Sequence, residues 1–448
     1  MIPSPAATIR TLLAALFLPA LLPCAAPVRA ASELKDNPDR VLRAIENAVR
    51  DGDLERGIGI ATQAIRQKPA APHHLARAGL HALQGNGDAA LQDFTAAVTL
   101  DPAFAEAWNQ RGVFLLEHGE AAAAVADFDR AIALDEKQAR TFLDRGKARL
   151  ILGQGDAALD DFSTAVLVNP RDADAWTQRA EAHLGRHDWD AAISDCTVAL
   201  ELHPKKVAAL NHRGSAWLAK QALQKALADF DAALVIDPHN AMALTYRAQI
   251  HRLRGELFRA LEDVNQAIRF DANSASSFNE RASIRAALGD VAAAISDCNT
   301  ALLVGGQNAP TLLLRGMLSM QRADYRRARE DFDAVVKAGG ELATPARIHL
   351  AWLLATCPDG EIRDGARASR LAHEAGARAP QEDPAIFDAL AAAQAELGDF
   401  AAALETGHQA IATTAENRPK ELTARRARID LYLSGKPCRL PTAASASP

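Results

Sequence analysis

The chain has 448 residues, 49% of them apolar but only 5% aromatic, and a formal charge of −6. That balance offers no basic excess for a nucleic-acid surface, and length alone suggests about three ordinary domains. A recurrence every 34 residues replaces the length argument, because a repeat array grows in one dimension with contacts only between neighbours.

Residues 1–30 read as a secretory leader. Arg10 precedes an apolar run, Thr11 to Leu22, too short to cross a bilayer, and Val28-Arg29-Ala30 offers a small-residue cleavage site. Cleavage there removes Arg10 and Arg29, leaving 48 basic against 56 acidic residues and a mature charge of −8. Cys24 raises the alternative of a lipid anchor, but Pro23 stands where a lipobox wants a small residue. The expectation is therefore an exported protein, periplasmic or secreted, with no stable membrane insertion once the leader is gone. Residues 31–37 form a short linker. Residues 38–70 read as a degenerate first repeat, with Gly52-Asp53 as its turn, Ala61 and Ala64 as its stripe and Pro69 as its close.

Eight regular copies run without a gap over residues 71–342, best exemplified by Ala105 to Gln138. With Ala105 as position 1, position 8 is always Gly or Ala: Ala78, Gly112, Gly146, Ala180, Gly214, Ala248, Ala282, Gly316. Position 20 is always Ala, and position 24 reads Phe94, Phe128, Phe162, Cys196, Phe230, Val264, Cys298, Phe332. Positions 20, 24 and 27 fall on one helical stripe, and positions 4, 8 and 11 on another, so each copy predicts two helices packed closely through small residues. A Gly-acid turn such as Gly119-Glu120 separates them, and Asp-Pro or its equivalent (Asp101-Pro102) closes the copy. The pairs Gly305-Gly306 and Gly339-Gly340 replace that close and read either as hinges or as ordinary helix ends.

This skeleton resembles the tetratricopeptide repeat family, over about nine-tenths of the chain. The resemblance implies an all-α fold: an α-solenoid of tandem helix-turn-helix repeats forming a right-handed superhelix, with the first helices lining its concave face. One departure is systematic. Position 7, usually Leu in the family, is Arg77, Arg111, Arg145, Arg179, Arg213, Arg247, Arg281 and Arg315, while position 23 is Asp93, Asp127, Asp161, Asp195, Asp229, Asp263, Asp297 and Asp331. A guanidinium beside an apolar stripe is partly desolvated and needs a partner, so a structural ladder of Arg–Asp pairs is expected. Removing Arg179 alone should then cost ~3 kcal/mol.

Further along, residues 343–383 read as a repeat with a loop inserted at Cys357-Pro358-Asp359-Gly360, and residues 384–416 as the last repeat. Residues 417–433 form a charged capping helix, and residues 434–448 a Pro/Ala/Ser tail expected to be disordered. Cys196 and Cys298 sit at core position 24; Cys357 and Cys438 are candidates for a disulfide that staples the C-terminal end.

No nucleophile elbow, P-loop or metal-ligand spacing occurs, so no catalytic residue, metal site or cofactor is expected. The resemblance places positions 2, 5, 9 and 12 in the groove. Candidate groove residues are Asn109, Lys147, Thr177, Asn211, Thr245, Gln249 and Asn279, the Asn amides being able to pair with a peptide backbone. The carboxylate clamp of chaperone-tail-binding relatives is absent, since position 5 is never Lys. The basic run Arg322, Arg326, Arg327 and Arg329 reads as surface decoration. The functional expectation is a non-catalytic scaffold binding an unidentified protein or peptide in the groove, with an assembly subunit using its convex surface or ends as the alternative.

Overall fold

The computed structural model describes residues 38–378, 383–415 and 417–442. The leader, Cys24, the linker and the last six residues lie outside that range. Among the described residues the protein is all α, with 23 helices and no strand. It divides into two compact units, Met1–Ala222 and Leu223–Pro448.

The first unit contains α1 (Pro38–Arg50), α2 (Leu54–Gln67), α3 (Ala71–Leu83), α4 (Gly87–Leu100), α5 (Ala105–Glu117), α6 (Ala121–Leu134), α7 (Ala139–Ile151), α8 (Gly155–Val168), α9 (Ala173–Gly185), α10 (Trp189–Leu202) and α11 (Val207–Ala219). The second contains α12 (Leu223–Ile236), α13 (Ala241–Leu253), α14 (Leu257–Phe270), α15 (Ala275–Ala287), α16 (Val291–Gly305), α17 (Ala309–Gln321), α18 (Tyr325–Ala338), α19 (Ala343–Thr356), α20 (Gly365–Gly376), α21 (Pro384–Glu396), α22 (Phe400–Ala412) and α23 (Pro419–Leu433). Within each unit every helix packs on the next, and successive first helices such as α5 and α7, or α13 and α15, also touch. Packing confined to sequence neighbours is the arrangement a short-turn helical hairpin imposes when it cannot bury its apolar stripe alone.

Close packing in each hairpin rests on positions 8 and 24. A Cβ on Gly112 would lie 2.7 Å from Phe128 Cε1, on Gly146 2.5 Å from Phe162 Cε1, and on Gly316 2.6 Å from Phe332 Cε1. Where position 24 is smaller, as Cys196, Val264 or Cys298, position 8 carries the methyl group of Ala180, Ala248 or Ala282. The two positions share one volume, and the interior stays filled either way. Only Ala78, opposite Phe94, keeps both groups.

The turn between the helices needs a left-handed residue, and Gly119 (φ +84°) and Gly289 (φ +85°) supply it. Three copies place a side chain there instead: His187 (φ 60°), Gln221 (φ 59°) and Ala323 (φ 57°). A left-handed non-glycine residue costs about 1–2 kcal/mol. Gln221 is exposed, so Gln221→Gly should raise the denaturation midpoint by the equivalent of about 1 kcal/mol; a midpoint at or below wild type would show that the turn is unstrained.

The Gly pairs stand at helix ends, with Gly306 capping α16 and Gly339 capping α18. Gly306, Gly339 and Gly340 all have positive φ, and Gly305 sits where a Cβ would meet the Ala275 Cβ at 2.5 Å, a position fixed by close packing.

The inserted loop after α19 is compact. Ile362 is buried, Arg363 donates to the Cys357 and Pro358 carbonyls (both 2.9 Å), and Asp364 N donates to Leu354 O. Residues of the tail that lie in the described range are not loose: Leu440 N donates to Thr356 O (2.8 Å), Tyr325 Oη donates to Pro441 O (2.5 Å), and Arg439 pairs with Glu396 (2.5 Å). Composition suggested disorder for this stretch, but Arg439 and Leu440 give it one ionic and one apolar anchor on the preceding repeats.

Candidate binding surfaces

The most regular polar feature is the row of Arg–Asp pairs. In the first unit Arg77, Arg111 and Arg179 each fork onto both oxygens of Asp93, Asp127 and Asp195 at 2.7 Å, and Arg145 holds Asp161 at 2.6–3.2 Å. In the second, Arg247, Arg281 and Arg315 hold Asp263, Asp297 and Asp331 at 2.6–3.0 Å. Arg213 and Asp229 fall in different units, and within its own unit Arg213 donates to Thr197 Oγ1. The aspartates are nearly fully buried while the guanidiniums reach partway to solvent. A planar fork matched to a carboxylate is the arrangement that makes burying both charges tolerable.

The remaining guanidinium nitrogen reaches backwards. Arg145 Nη1 donates to Asp129, Arg247 Nη1 to Asp231, Arg281 Nη1 to Asn265 and Arg315 Nη1 to Asn299, at 2.5–3.0 Å. Each acceptor is position 25 of the preceding copy, so one arginine ties its own second helix to the one before. Beneath it lies the aromatic ring of position 4: Trp108, Phe142, Trp176 and Phe278 have centroids 4.7–5.5 Å from the guanidinium carbon. Position 11 adds a further polar neighbour. Arg149 and Arg285 bond Asp161 and Asp297 at 2.8 and 2.7 Å, and His183 and His251 stand 3.9 and 3.8 Å from Asp195 and Asp263. Sequence reading placed position 11 on the apolar stripe and passed over position 25, although both are polar in most copies. The network cross-braces the repeats within each unit.

The candidate groove residues separate into two groups. Asn109, Thr177, Asn211 and Thr245 are buried at 1–7% exposure, which corrects the expectation that position 5 lines an open groove. Thr177 donates to Ala173 O, and Thr245 bonds Ala241 O and Ser277 Oγ. Asn279 Oδ1 accepts from Thr311 Oγ1. Ser277 and Thr311 are position 3 of the following copy, so in these two copies position 5 bonds one first helix to the next. Exposure rises instead at positions 2 and 9: Arg140, Asp174 and Met242 are exposed and Lys147 and Gln249 partly so, while position 6 is buried at Gln110, Asp144 and Glu280.

On that face of the first unit the charges are mostly matched. Asp144 accepts from Arg140 (3.1 Å) and Lys147 (3.2 Å), and Lys206 pairs with Asp174. Glu106 and Glu117 differ: loss of water pushes both carboxyls above the usual range, and Glu106 has only the amide of Gln110, at 2.6 Å, to offset it. His212 is pushed the other way by burial, towards the neutral form.

In the second unit the first helices α19 and α21 and the last helix α23 enclose a cleft of about 300 Å³. Ile348, Trp352, Ala385 and Ala424 form its apolar part. Asp388 stands at its edge, held by Arg425 (2.8 Å) and Arg428 (2.7 Å), and the Arg428 guanidinium lies 5.1 Å over Trp352. His349 is stacked 5.5 Å from Phe332, and burial pushes it towards the neutral form. An aromatic floor with fixed charges at its rim suits an apolar side chain on a polar chain.

All four cysteines of the described chain are free thiols. Cys357 is buried with Tyr325 and Leu371, whereas Cys438 packs with Ile429 and Tyr432, so the proposed staple is not formed and the two sulfurs belong to separate clusters. Burial pushes the Cys298 thiol up to about 12, consistent with an inert core residue.

Paired helices stacked on their neighbours and cross-braced by the Arg–Asp pairs define a protein-interaction scaffold of helical hairpins. The tetratricopeptide repeat profile matches residues 42–103, 84–139, 143–205 and 177–241, and the chain is a tetratricopeptide repeat protein. No curated protein matches it. The APC/C hetero-tetramer Cut9–Hcn1 is similar in fold, at 12% identity over 86% of this chain and 96% of that one, with a TM-score of 0.51. A tetratricopeptide repeat protein from Parabacteroides merdae is 19% identical over 53% of this chain and 94% of its own (TM-score 0.46). YrrB, described as having an unusual peptide-binding site, is 24% identical over 42% and 97% (TM-score 0.38).

Proposed function

We propose that this protein is an exported, non-catalytic scaffold of the cell envelope that recruits a protein through an extended segment laid along its first-helix face. The cleft at Trp352 carries the reading. It lies where the first helices α19 and α21 meet the last helix α23, and it offers an apolar seat beside arginines already fixed by Asp388. Such a seat gives one side chain of a partner a buried anchor, which is where most binding energy resides. The leader-like residues 1–30 support the envelope setting.

A second reading has its own observation. Leu167, Val235, Phe258 and Leu303, all on second helices, are 80–85% exposed, far beyond the other apolar residues of those helices. An assembly subunit packing through its second helices would cover them.

Crosslinking of the chain from Ala31 to Pro448 in extracts of its own cell envelope separates the two. Crosslinks from one foreign protein should converge on residues around Trp352 and disappear in Ala424→Trp, which fills the cleft from an exposed position. Crosslinks clustered instead at Leu167, Val235 and Leu303, and unchanged by Ala424→Trp, would overturn the groove reading in favour of assembly.

A further inference from the structure

We infer that the eighth regular repeat carries a binding site for a phosphate group, built by α16, α17 and the start of α18. The argument begins with position 11. In the third copy that position is Arg149, whose guanidinium bonds Asp161 and the Ala157 carbonyl and comes within 3.8 Å of Asp129 in the preceding copy. In the seventh it is Arg285, bonded to Asp297 and the Ala293 carbonyl. These side chains fill the space between position 25 of one copy and position 19 of the next.

In the eighth copy position 11 is Ser319, too short to reach either, and a cleft of about 340 Å³ stands in that place. It is lined by Asn299 at position 25 of the preceding copy, Arg327 at position 19, and Ile295, Ser319, Arg322 and Asp324. The chemistry of the lining is that of hydrogen-bond donors. Arg315 Nη1 donates to Asn299 Oδ1 at 2.7 Å. A guanidinium can only donate, so this contact orients the amide and leaves the Asn299 N–H groups for the cleft. Ser319 is 1% exposed, and its hydroxyl has no hydrogen-bond partner among the described residues. Arg322 and Arg327 form no ion pair among the described residues, in contrast to the arginines of the ladder. The one carboxylate present, Asp324, already accepts the Arg327 backbone N–H as the cap of α18.

Two guanidiniums, an amide and a hydroxyl around one polar cleft match an anion with several oxygens pointing in different directions, as a phosphate group has. A carboxylate offers two oxygens in one plane and leaves part of this donor set unmet. The same chemistry serves free orthophosphate or a phosphorylated side chain of a partner. The site lies on helices other than those enclosing the Trp352 cleft and stands or falls without the scaffold reading.

The test is calorimetric titration of the full chain with inorganic phosphate at constant ionic strength, with acetate in parallel. Saturable phosphate binding is expected, weakened about tenfold or more by Arg322→Gln or Arg327→Gln and lost in Ser319→Arg, which restores the side chain of the third copy. The glutamine variants alter exposed side chains, and their unchanged thermal melts separate lost binding from lost folding. O-phosphoserine amide binding more tightly than orthophosphate assigns the group to a partner side chain; the reverse order assigns it to the free ion. No saturable phosphate heat, displacement by acetate at equal concentration, or full binding by Ser319→Arg each overturns the site.

Discussion

Replacing Arg111 by leucine is expected to destabilise the first unit by about 3 kcal/mol or more, the largest effect of any ladder substitution in that unit. Asp127 keeps only 6% of its side-chain surface exposed, and Arg111 is its one cation among the described residues, because position 11 of that copy is Leu115. Without Arg111 a carboxylate stays in the interior with neither charge partner nor water. The corresponding loss at Arg145 should be smaller, since Arg149 already bonds Asp161 at 2.8 Å and can hold the charge alone. Arg179 falls between the two, with His183 at 3.9 Å from Asp195. Urea midpoints of Arg111→Leu and Arg145→Leu, measured side by side, check the ranking. The double variant Arg111→Leu, Asp127→Leu should recover most of the loss, because the cost lies in the stranded charge rather than in the missing bond. Equal midpoints for Arg111→Leu and wild type would mean that water reaches Asp127 and that the ladder does not brace the fold.

A second large effect is expected from one methyl group. Gly146→Ala brings a Cβ to 2.5 Å from Phe162, a ring with no exposed surface and no room to turn. Overpacking of this kind costs ~1–3 kcal/mol. Adding Phe162→Leu should return part of that stability, reproducing the smaller-with-Ala combination already present at Ala248 and Val264. Alanine in place of Gly59, whose Cβ direction is open, should instead be neutral or mildly stabilising through helix propensity. Thermal melts of the three variants decide it: an unchanged melting temperature for Gly146→Ala would show that α7 and α8 slide apart at little cost.

The hairpins were legible because their determinants are local and recur. Position 8 against 24, the left-handed turn and the stripe spacing all act within one copy, and eight copies average out the exceptions. The Arg and Asp of positions 7 and 23 could be paired on paper because both border the same interior. The third partner at position 25 could not, since it belongs to the preceding copy and depends on how hairpins stack. The misplacement of Asn109, Thr177, Asn211 and Thr245 has the same origin. Periodicity separates an apolar side of a first helix from a polar one, but the boundary between groove and neighbour is set by the rotation of one hairpin on the next. A small polar residue at that boundary reads the same whether it meets Ser277 of the next copy or a ligand. The cleft at Trp352 depends on three helices spread over residues 343–433 and leaves no local mark.

The returning tail alters how the second unit can come apart. An array held only by neighbours frays from its end, one hairpin after another, each opening at its own modest free energy. Here Tyr325 on α18 grips Pro441, 116 residues further on, while Leu440 is pinned to the end of α19 and Arg439 to Glu396 on α21. Closing so long a loop costs little more than closing a short one, yet it ties the C-terminal tail back to the hairpin two before the last. Opening at the C-terminal end therefore proceeds as a single event spanning α18 to α23. Whatever binds the Trp352 cleft meets a seat that is either wholly assembled or wholly absent.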